Sequence, residues 1–395
     1  MRIAHFCDSR PGRIDGVSTS ATLSVELLRR AGHEVGFFAP APAPAARDGD
    51  HTGRGDRIRT VPIPFRDLRL AAPWLRIDPG PVDVIHAHTT GPIGMAGFRL
   101  ARERHVPLVI TWHTDLVAYG EHFFEVPIGA AYCARRLRLG WTAAETLELA
   151  GARRRQRLLD LGRGMMSYAS VVLAPSAKTA AGLAEFGALP AVRVVRTPVV
   201  LPDDGRTRAD VRAHLGIAPD VPLVLSVGRL TGEKNPELLI RAFEVVRRRL
   251  PRARLVVVGA KQGARAVRAL VRDLSLTDRV TLLPPVPRDE VAGHYRAADV
   301  LAFASGTDTQ SLVLAEAESQ GLPVVLTDRA LTADTPWRMC ADPEPEPFAA
   351  AIAHMLTDDA QRDRARRSGL DAYASYSADD YLAELTAAYE SCLIH

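Results

Sequence analysis

Short apolar runs alternate with longer amphipathic stretches along the whole chain, and no other feature restricts its fold as much. RIAHFCD at 2–8 is such a run, RPGRIDGVST is a glycine-bearing loop, and ATLSVELLRRAGHEV carries apolar residues at helical spacing up to a stop at Gly32. GFFAP then returns to strand character. Strand, helix, strand in this order implies a parallel sheet, because a parallel neighbour is reached only by crossing over one face. DVIHAH (83–88), PLVITWH (107–113), VVLAPS (171–176) and VRVVR (192–196) continue the rhythm as buried strands. Helices are expected through GFRLARERH, over the basic stretch 130–166, and from Ala177.

The rhythm then starts again. VPLVLSVGR (221–229), ARLVVVGA, VTLLPPV, ADVLAFAS and LPVVLTD (322–328) read as strands. PELLIRAFEVVRRRL, ARAVRALVRDL and RDEVAGHYRA read as the helices between them. A length of 395 residues exceeds what one compact core fills, and TPVVLPDDGRTR (197–208) has the prolines and polar residues of a hinge. The expected architecture is α/β, with two Rossmann-like doubly wound parallel-sheet domains over residues 1–198 and 199–375, facing a cleft. Residues 376–395, ending in YLAELTAAYESCL, are expected to form a C-terminal helix that crosses back to the N-terminal domain.

Composition narrows the class. Hydrophobic residues at 47% and charged residues at 24% fit a folded soluble chain. A net charge of +4, set against 50 basic and 46 acidic side chains, gives no reason to expect a nucleic-acid partner. Cys7, Cys133, Cys340 and Cys392 are scattered without a CxxC, so reduced thiols are expected rather than a disulfide framework or zinc site. MRIAHFCDSR has no apolar export segment and no run of eighteen apolar residues exists, which makes a cytoplasmic location the expectation.

Two segments carry chemistry. In VGRLTGEKNPELL (227–239), Gly228 frees the backbone at a strand end, and Arg229 and Lys234 follow on a short loop. Two cations so placed suit a diphosphate, Arg by clamping two oxygens and Lys as a point charge. An ordinary charged turn fits this segment equally well. In FASGTDTQSLVLAEAESQGLPVV (303–325), a strand ends in a polar loop, a helix follows, and Glu316 stands eight residues after Asp308. The N–H groups of Ser311, Leu312 and Val313 would lie in the first helical turn, where the helix dipole favours an anion. Asp308 would face sugar hydroxyls and Glu316 a ribose. The plainer alternative makes Asp308 or Thr309 a helix cap and Glu316 an ion-pair partner.

Together these residues resemble the donor domain of the retaining glycosyltransferases of family 4, which have the GT-B fold. Gly228, Arg229, Glu233, Lys234 and Asn235 match that family's GR…EK…N loop. Asp308, Glu316 and the strand Gly321–Val325 match its acidic-x7-Glu signature and following GLPVV. The chain departs from the pattern with Asp308 where the first acid is usually Glu, and with Ser311 where Gly is usual. The resemblance extends to Gly16, in a loop that lets the backbone approach sugar and phosphate, and to His113 in ITWHTD, a contact to the donor sugar. His86 and His88 resemble the family's buried HxH, a structural pair with His88 as an acceptor-side candidate. Val286 falls where backbone groups receive the nucleotide base, with uridine the commoner base. The likeness is weakest over 40–80, 120–165 and RTPVVLP.

The resemblance implies a retaining, metal-independent hexosyltransferase with no cofactor beyond its nucleotide-sugar donor. The first domain would bind the acceptor and the second the donor. Arg229, Lys234 and the 311–313 amides would stabilise the departing diphosphate. For the acceptor, a small hydroxyl compound such as a natural-product intermediate stands beside a membrane glycolipid. The basic side chains between Arg135 and Arg163 could meet anionic headgroups, although a charge run is usually a solvated helix face. A non-catalytic nucleotide-sugar binder is the alternative from another class, and a phosphorylase or epimerase would share the two-domain plan. DGD at 48–50 imitates a metal-binding DxD but sits in an Ala/Pro-rich excursion, and GAKQGAR (259–265) lacks the ending of a P-loop. Oligomeric state is not encoded in any feature of the sequence.

Overall fold

The computed structural model describes residues 1–13, 15–41, 57–62, 69–122, 126–187 and 190–393. These divide into two compact units, one built from Met1–Thr197 with Ala378–His395 and the other from Pro198–Ser377. The DGD decoy at 48–50 lies outside the described residues.

The first unit contains β1 (Arg2–Phe6), β2 (Glu34–Pro40), β3 (Arg57–Ile58), β4 (Thr60–Pro62), β5 (Arg69–Ala71), β6 (Val84–Ala87), β7 (Leu108–Thr111), β8 (Val171–Ala174) and β9 (Ala191–Val194). Its main sheet runs β3-β2-β1-β6-β7-β8-β9, all neighbours parallel, while β4 and β5 form a separate antiparallel pair. Side chains alternate across a strand. Ala4, Phe6, Ile85, Ala87, Leu108, Ile110, Val172 and Ala174 therefore share one face and join a single apolar cluster. The opposite face carries His5, His86 and Thr111, all buried. The helix Ala378–Leu393 belongs to this unit, with Tyr381 bonded to Ser24 at 2.7 Å and Tyr389 to His86 at 2.7 Å.

The second unit contains β10 (Leu223–Val227), β11 (Arg254–Val258), β12 (Val280–Leu283), β13 (Val300–Phe303), β14 (Val324–Leu326) and β15 (Met339–Cys340). Their order is β12-β11-β10-β13-β14-β15, again all parallel. Both faces are covered, as a parallel sheet requires. Val224, Leu255, Val257, Val300, Ala302 and Val325 pack under the helices Pro236–Arg249 and Pro345–Thr357. Leu225, Val256, Val258, Leu301, Phe303 and Leu326 pack on the other side with the helices Arg288–Ala297 and Leu312–Ser319.

The stretch 130–166 is not one helix. It divides into Val126–Leu137, Ala143–Leu147 and Arg154–Met166. Gly140 at φ +73° turns the chain, and Thr142 with Glu145 forms a reciprocal cap that starts the next helix. The short strands β3, β4, β5 and β15 also lie outside the elements read from sequence.

Candidate active site

In each sheet the order reverses beside the first strand of the unit, between β1 and β6 and between β10 and β13. Loops leaving the carboxyl ends of two such strands diverge to opposite faces and leave a crevice, the usual ligand position in doubly wound sheets. In the second unit the two loops are Gly228–Asn235 and Ala304–Ser311, which hold both chemistry-bearing segments.

Gly228 has φ +149°, and Gly259 at φ +104° lies so close that a Cβ on it would stand 2.5 Å from the Gly228 carbonyl oxygen. Glycine at both positions lets the loop turn away from the sheet. A small open pocket lies there, lined by Gly228, Arg229, Lys234, Pro236, Phe303 and Ser305 among others. Lys234 Nζ donates to both oxygens of Asp308, at 2.7 and 2.8 Å, and stands 5.9 Å from the Phe303 ring centroid. The cation expected to hold phosphate and the carboxylate expected to hold sugar therefore meet across 74 residues of sequence. Arg229 is exposed and reaches Glu233 Oε1 at 3.1 Å. Glu233 is buried; its Oε1 also accepts from Thr231 at 2.6 Å, while Oε2 has no hydrogen-bond partner among the described residues.

Ser311 precedes the helix Leu312–Ser319 at φ +58°, the left-handed region. The N–H groups of Ser311, Leu312 and Val313 have no acceptor among the described residues, and the buried Ser311 Oγ is likewise unpartnered. Glu316 is buried and fully engaged: Arg288 donates to Oε1 at 2.7 Å and Tyr295 to Oε2 at 3.0 Å. The ion-pair alternative for Glu316 is thus what the unit contains, and a ribose would have to share these oxygens. Val286 lies in the loop after β12 and packs in the same apolar cluster as Val313.

In the first unit Gly16 is the first residue of the helix Gly16–Arg30 rather than a loop residue. Asp15 caps that helix by accepting from Ser18 N at 2.7 Å. The N-terminus of the helix Pro92–Arg104 is met by an internal carboxyl: Asp8 accepts from the N–H groups of Ile93 and Gly94 at 2.9 and 3.0 Å, while burial pushes its pKa above the ordinary carboxylate range.

His113 lies two residues beyond β7 and ends a buried chain of hydrogen bonds. Thr111 Oγ1 meets His86 Nε2 at 2.7 Å, and His86 Nδ1 meets the Tyr389 hydroxyl at 2.7 Å. That hydroxyl meets His5 Nε2 at 3.3 Å, His5 Nδ1 meets His88 Nε2 at 2.9 Å, and His88 Nδ1 meets His113 Nε2 at 3.2 Å. The pairing of His5 with His86 across β1 and β6 brings the rings together. Burial disfavours the charged imidazole. It lowers His5 to about 3 and His113 to about 4, and holds His86 and His88 well below the ordinary range. His5, His86 and His88 are also the one trio of close metal-ligating groups among the described residues, with candidate ligand atoms within 4.8 Å.

Comparison with known proteins assigns the family. Residues 14–201 match the model described as Glycosyltransferase Family 4, and residues 207–371 match Glycosyl transferases group 1. The D-inositol 3-phosphate glycosyltransferase of Xylanimonas cellulosilytica is 30% identical over 90% of this chain and 88% of its own length. The chain belongs to the family-4 glycosyltransferases. The alpha-monoglucosyldiacylglycerol synthase of Streptococcus pneumoniae is 28% identical to this glycosyltransferase over 82% of the chain and 70% of the relative. Among solved structures, sucrose-phosphate synthase from Thermosynechococcus elongatus superposes with a TM-score of 0.74 at 20% identity, covering 99% and 98% of the two chains. Anabaena HepE, in complex with UDP-glucose, gives 0.72 at 17% identity, covering 99% and 100%. The fold expected from sequence, two Rossmann-like parallel-sheet units of GT-B type, is the one found.

The 153–163 part of the glycosyltransferase's basic stretch is largely paired internally. Arg157 pairs with Glu148 at 2.6 Å and with Glu145 and Asp160 at 3.3 Å; Arg153 pairs with Glu148, Arg163 with Asp160 and Arg155 with Glu185. Arg154 donates to the carbonyls of Leu149 and Gly120, both at 2.9 Å. No helix among the described residues is long and apolar enough to cross a membrane. Sequence reasoning missed His5, Tyr389 and Arg288. The strand alternation that puts His5 in step with His86 was the available signal for the first; nothing local marks the other two.

Proposed function

We propose that this glycosyltransferase moves a hexose from a UDP-sugar to the hydroxyl of a small-molecule acceptor, with retention at the anomeric carbon and without a metal. The observation that carries the reading is the gathering of Arg229, Lys234 and the 311–313 amides where β10 and β13 diverge. Donors aimed at the diphosphate are worth most when charge accumulates on it, in the transition state. Lys234 would exchange Asp308 for the diphosphate, which leaves the Asp308 carboxylate to accept from sugar hydroxyls. The β-phosphate would take the acceptor's proton on the face it leaves. His113 is assigned to the donor sugar, Gly16 to the backbone approach, Val286 to the base and Glu316 to the ribose. UDP is supported by the HepE complexes, and a soluble hydroxyl acceptor by relatives named for inositol 3-phosphate. The proposed setting is the cytoplasm.

A membrane glycolipid acceptor is a second reading. It rests on the pneumococcal relative and on the exposed Trp74 and Ile128, 75% and 71% accessible, near Arg135 and Arg136. Tyr132 of the helix Val126–Leu137 donates to the Pro73 carbonyl at 3.0 Å, which holds Trp74 beside that helix. Salt-sensitive co-sedimentation with anionic vesicles would favour it.

The test is a thermal-shift panel of UDP, GDP, ADP, TDP and CMP in EDTA, followed by kinetics of Lys234→Ala. A nucleotide at 100 times its Kd should stabilise by ~2.7 kcal/mol, and UDP is expected to do so alone. Lys234→Ala should lose ~2–4 kcal/mol of transition-state stabilisation, roughly 30- to 900-fold, mainly in kcat. Near-normal turnover in that variant, or a shift that needs a divalent ion, would overturn the assignment.

A further inference from the structure

We propose that the buried chain Thr111–His86–Tyr389–His5–His88 is a positioning network that fixes His113 as the neutral tautomer with its proton on Nδ1. This rests on the reading that His113 serves the donor sugar, and extends it to residues on three strands and the C-terminal helix.

The argument is a proton count. A neutral imidazole has one N–H and one bare nitrogen, and a hydroxyl has one proton to give. The six members of the chain make five contacts, each of which needs one proton, so one of their six protons is not used within the chain and sits on Thr111, on Tyr389 or on His113 Nδ1. If every hydrogen bond runs from Thr111 towards His113, Thr111 donates to His86 Nε2 and His86 Nδ1–H donates to Tyr389. The Tyr389 hydroxyl then donates to His5, His5 Nδ1–H to His88, and His88 Nδ1–H to His113 Nε2. His113 accepts at Nε2 and must carry its own proton on Nδ1. The reverse polarity places the spare proton on the Thr111 hydroxyl, and bonds that converge on Tyr389 place it on that hydroxyl; both are buried and have no further side-chain partner among the described residues. An unmet buried donor is disfavoured, so the first polarity prevails.

Two features support a network over a set of filler side chains. A second proton on His88, at Nε2, would face the His5 Nδ1–H head-on, and burial keeps His5, His86 and His88 neutral. His86 also stacks on His88, with 4.1 Å between ring centroids and planes 28° apart. Stacked rings send their in-plane lone pairs side by side, not to a shared point. A metal at His5, His86 and His88 would have to break several of the five contacts.

The test reads the ring nitrogens of histidine-labelled, full-length protein by 15N NMR, beside kinetics with a UDP-sugar. In the wild type His113 should be protonated at Nδ1 between pH 6 and 8. Tyr389→Phe removes the link in mid-chain without touching His113, and should raise the share of the Nε2–H form at His113. His88→Leu, which removes the immediate donor, should do so more strongly and lower kcat/KM for the UDP-sugar by roughly 10-fold. UDP affinity should be unchanged in both variants, and His88→Gln, which can still donate, should recover part of the loss. The proposal is overturned if wild-type His113 carries its proton on Nε2, if Tyr389→Phe leaves the His113 signals unmoved, or if the purified protein holds stoichiometric metal on these rings. Full activity in His113→Ala would instead remove the sugar-contact reading while leaving the tautomer result to stand by itself.

Discussion

Ser311 occupies a backbone conformation that a side chain enters at a cost of roughly 1–2 kcal/mol relative to glycine. Its Oγ is buried and unpartnered, so the hydroxyl offsets none of that strain within the described residues. Ser311→Gly should therefore raise stability by about 0.5–1 kcal/mol, read from urea unfolding of ligand-free protein. A loss of stability would mean that the hydroxyl has a partner in solution. At this scale the cations and carboxylates of the candidate site were legible because family spacing marks Arg229, Lys234, Asp308 and Glu316. Their partners were not. Lys234 meeting Asp308 and Glu316 meeting Tyr295 and Arg288 are side-chain pairings made by the tertiary fold, and no local pattern encodes them.

The helix Leu312–Ser319 shows how an element is fixed by acids that face inwards. Glu316 reaches Arg288 and Tyr295; Glu318 reaches Arg338 through two bonds of 2.8 and 2.6 Å and accepts from Trp337 at 2.7 Å. Arg338 and Glu318 side chains are only 6% and 2% exposed, so removing one strands the other's charge. Glu318→Ala should destabilise by about 3–5 kcal/mol, measured by thermal or urea unfolding, and should weaken UDP binding by loosening the helix that presents the 311–313 amides. An unchanged melting temperature would show that Arg338 finds water or another acceptor. The long strands and helices were readable from periodicity alone. β3, β15 and the β4–β5 pair span two or three residues each, too few for any period to show. The stretch 130–166 was read as continuous because its basic side chains suit a helix, while the breaks come from the left-handed turn at Gly140 and a new cap at Thr142.

For the whole molecule, the buried neutral histidines His5, His86 and His88, with the partly buried His113, make stability depend on acid. An unfolded histidine titrates near 6.5, whereas His5 falls to about 3 and His113 to about 4 in the folded chain. Between those limits the unfolded state binds more protons, so stability is full above about pH 6.5 and declines as pH falls towards 4. Each such histidine contributes a slope of up to ~1.4 kcal/mol per pH unit. The melting temperature should drop clearly from pH 7 to pH 5, and less in Tyr389→Phe, where water entering beside His5 eases its protonation. A flat profile across that range would contradict the buried, neutral state of the cluster. The two-unit α/β plan was legible from the repeated strand–helix rhythm, and the last helix from YLAELTAAYESCL. What periodicity could not supply was which strand face that helix covers, since apolar and histidine-bearing faces are equally buried.

The membership of Ala378–Leu393 in the first unit has a bearing on synthesis. The second unit is one unbroken segment, Pro198–Ser377, and has every residue it needs once that segment has left the ribosome. The first unit, though begun earlier, waits for Tyr381 and Tyr389 to fill the histidine-bearing face of its sheet. The usual vectorial order, in which the amino-terminal unit is finished first, is here inverted. Until Tyr389 emerges, the nascent first unit carries a sheet whose histidine-bearing face is only partly covered, by the helix Gly16–Arg30, and that interval is when a chaperone would have something to hold.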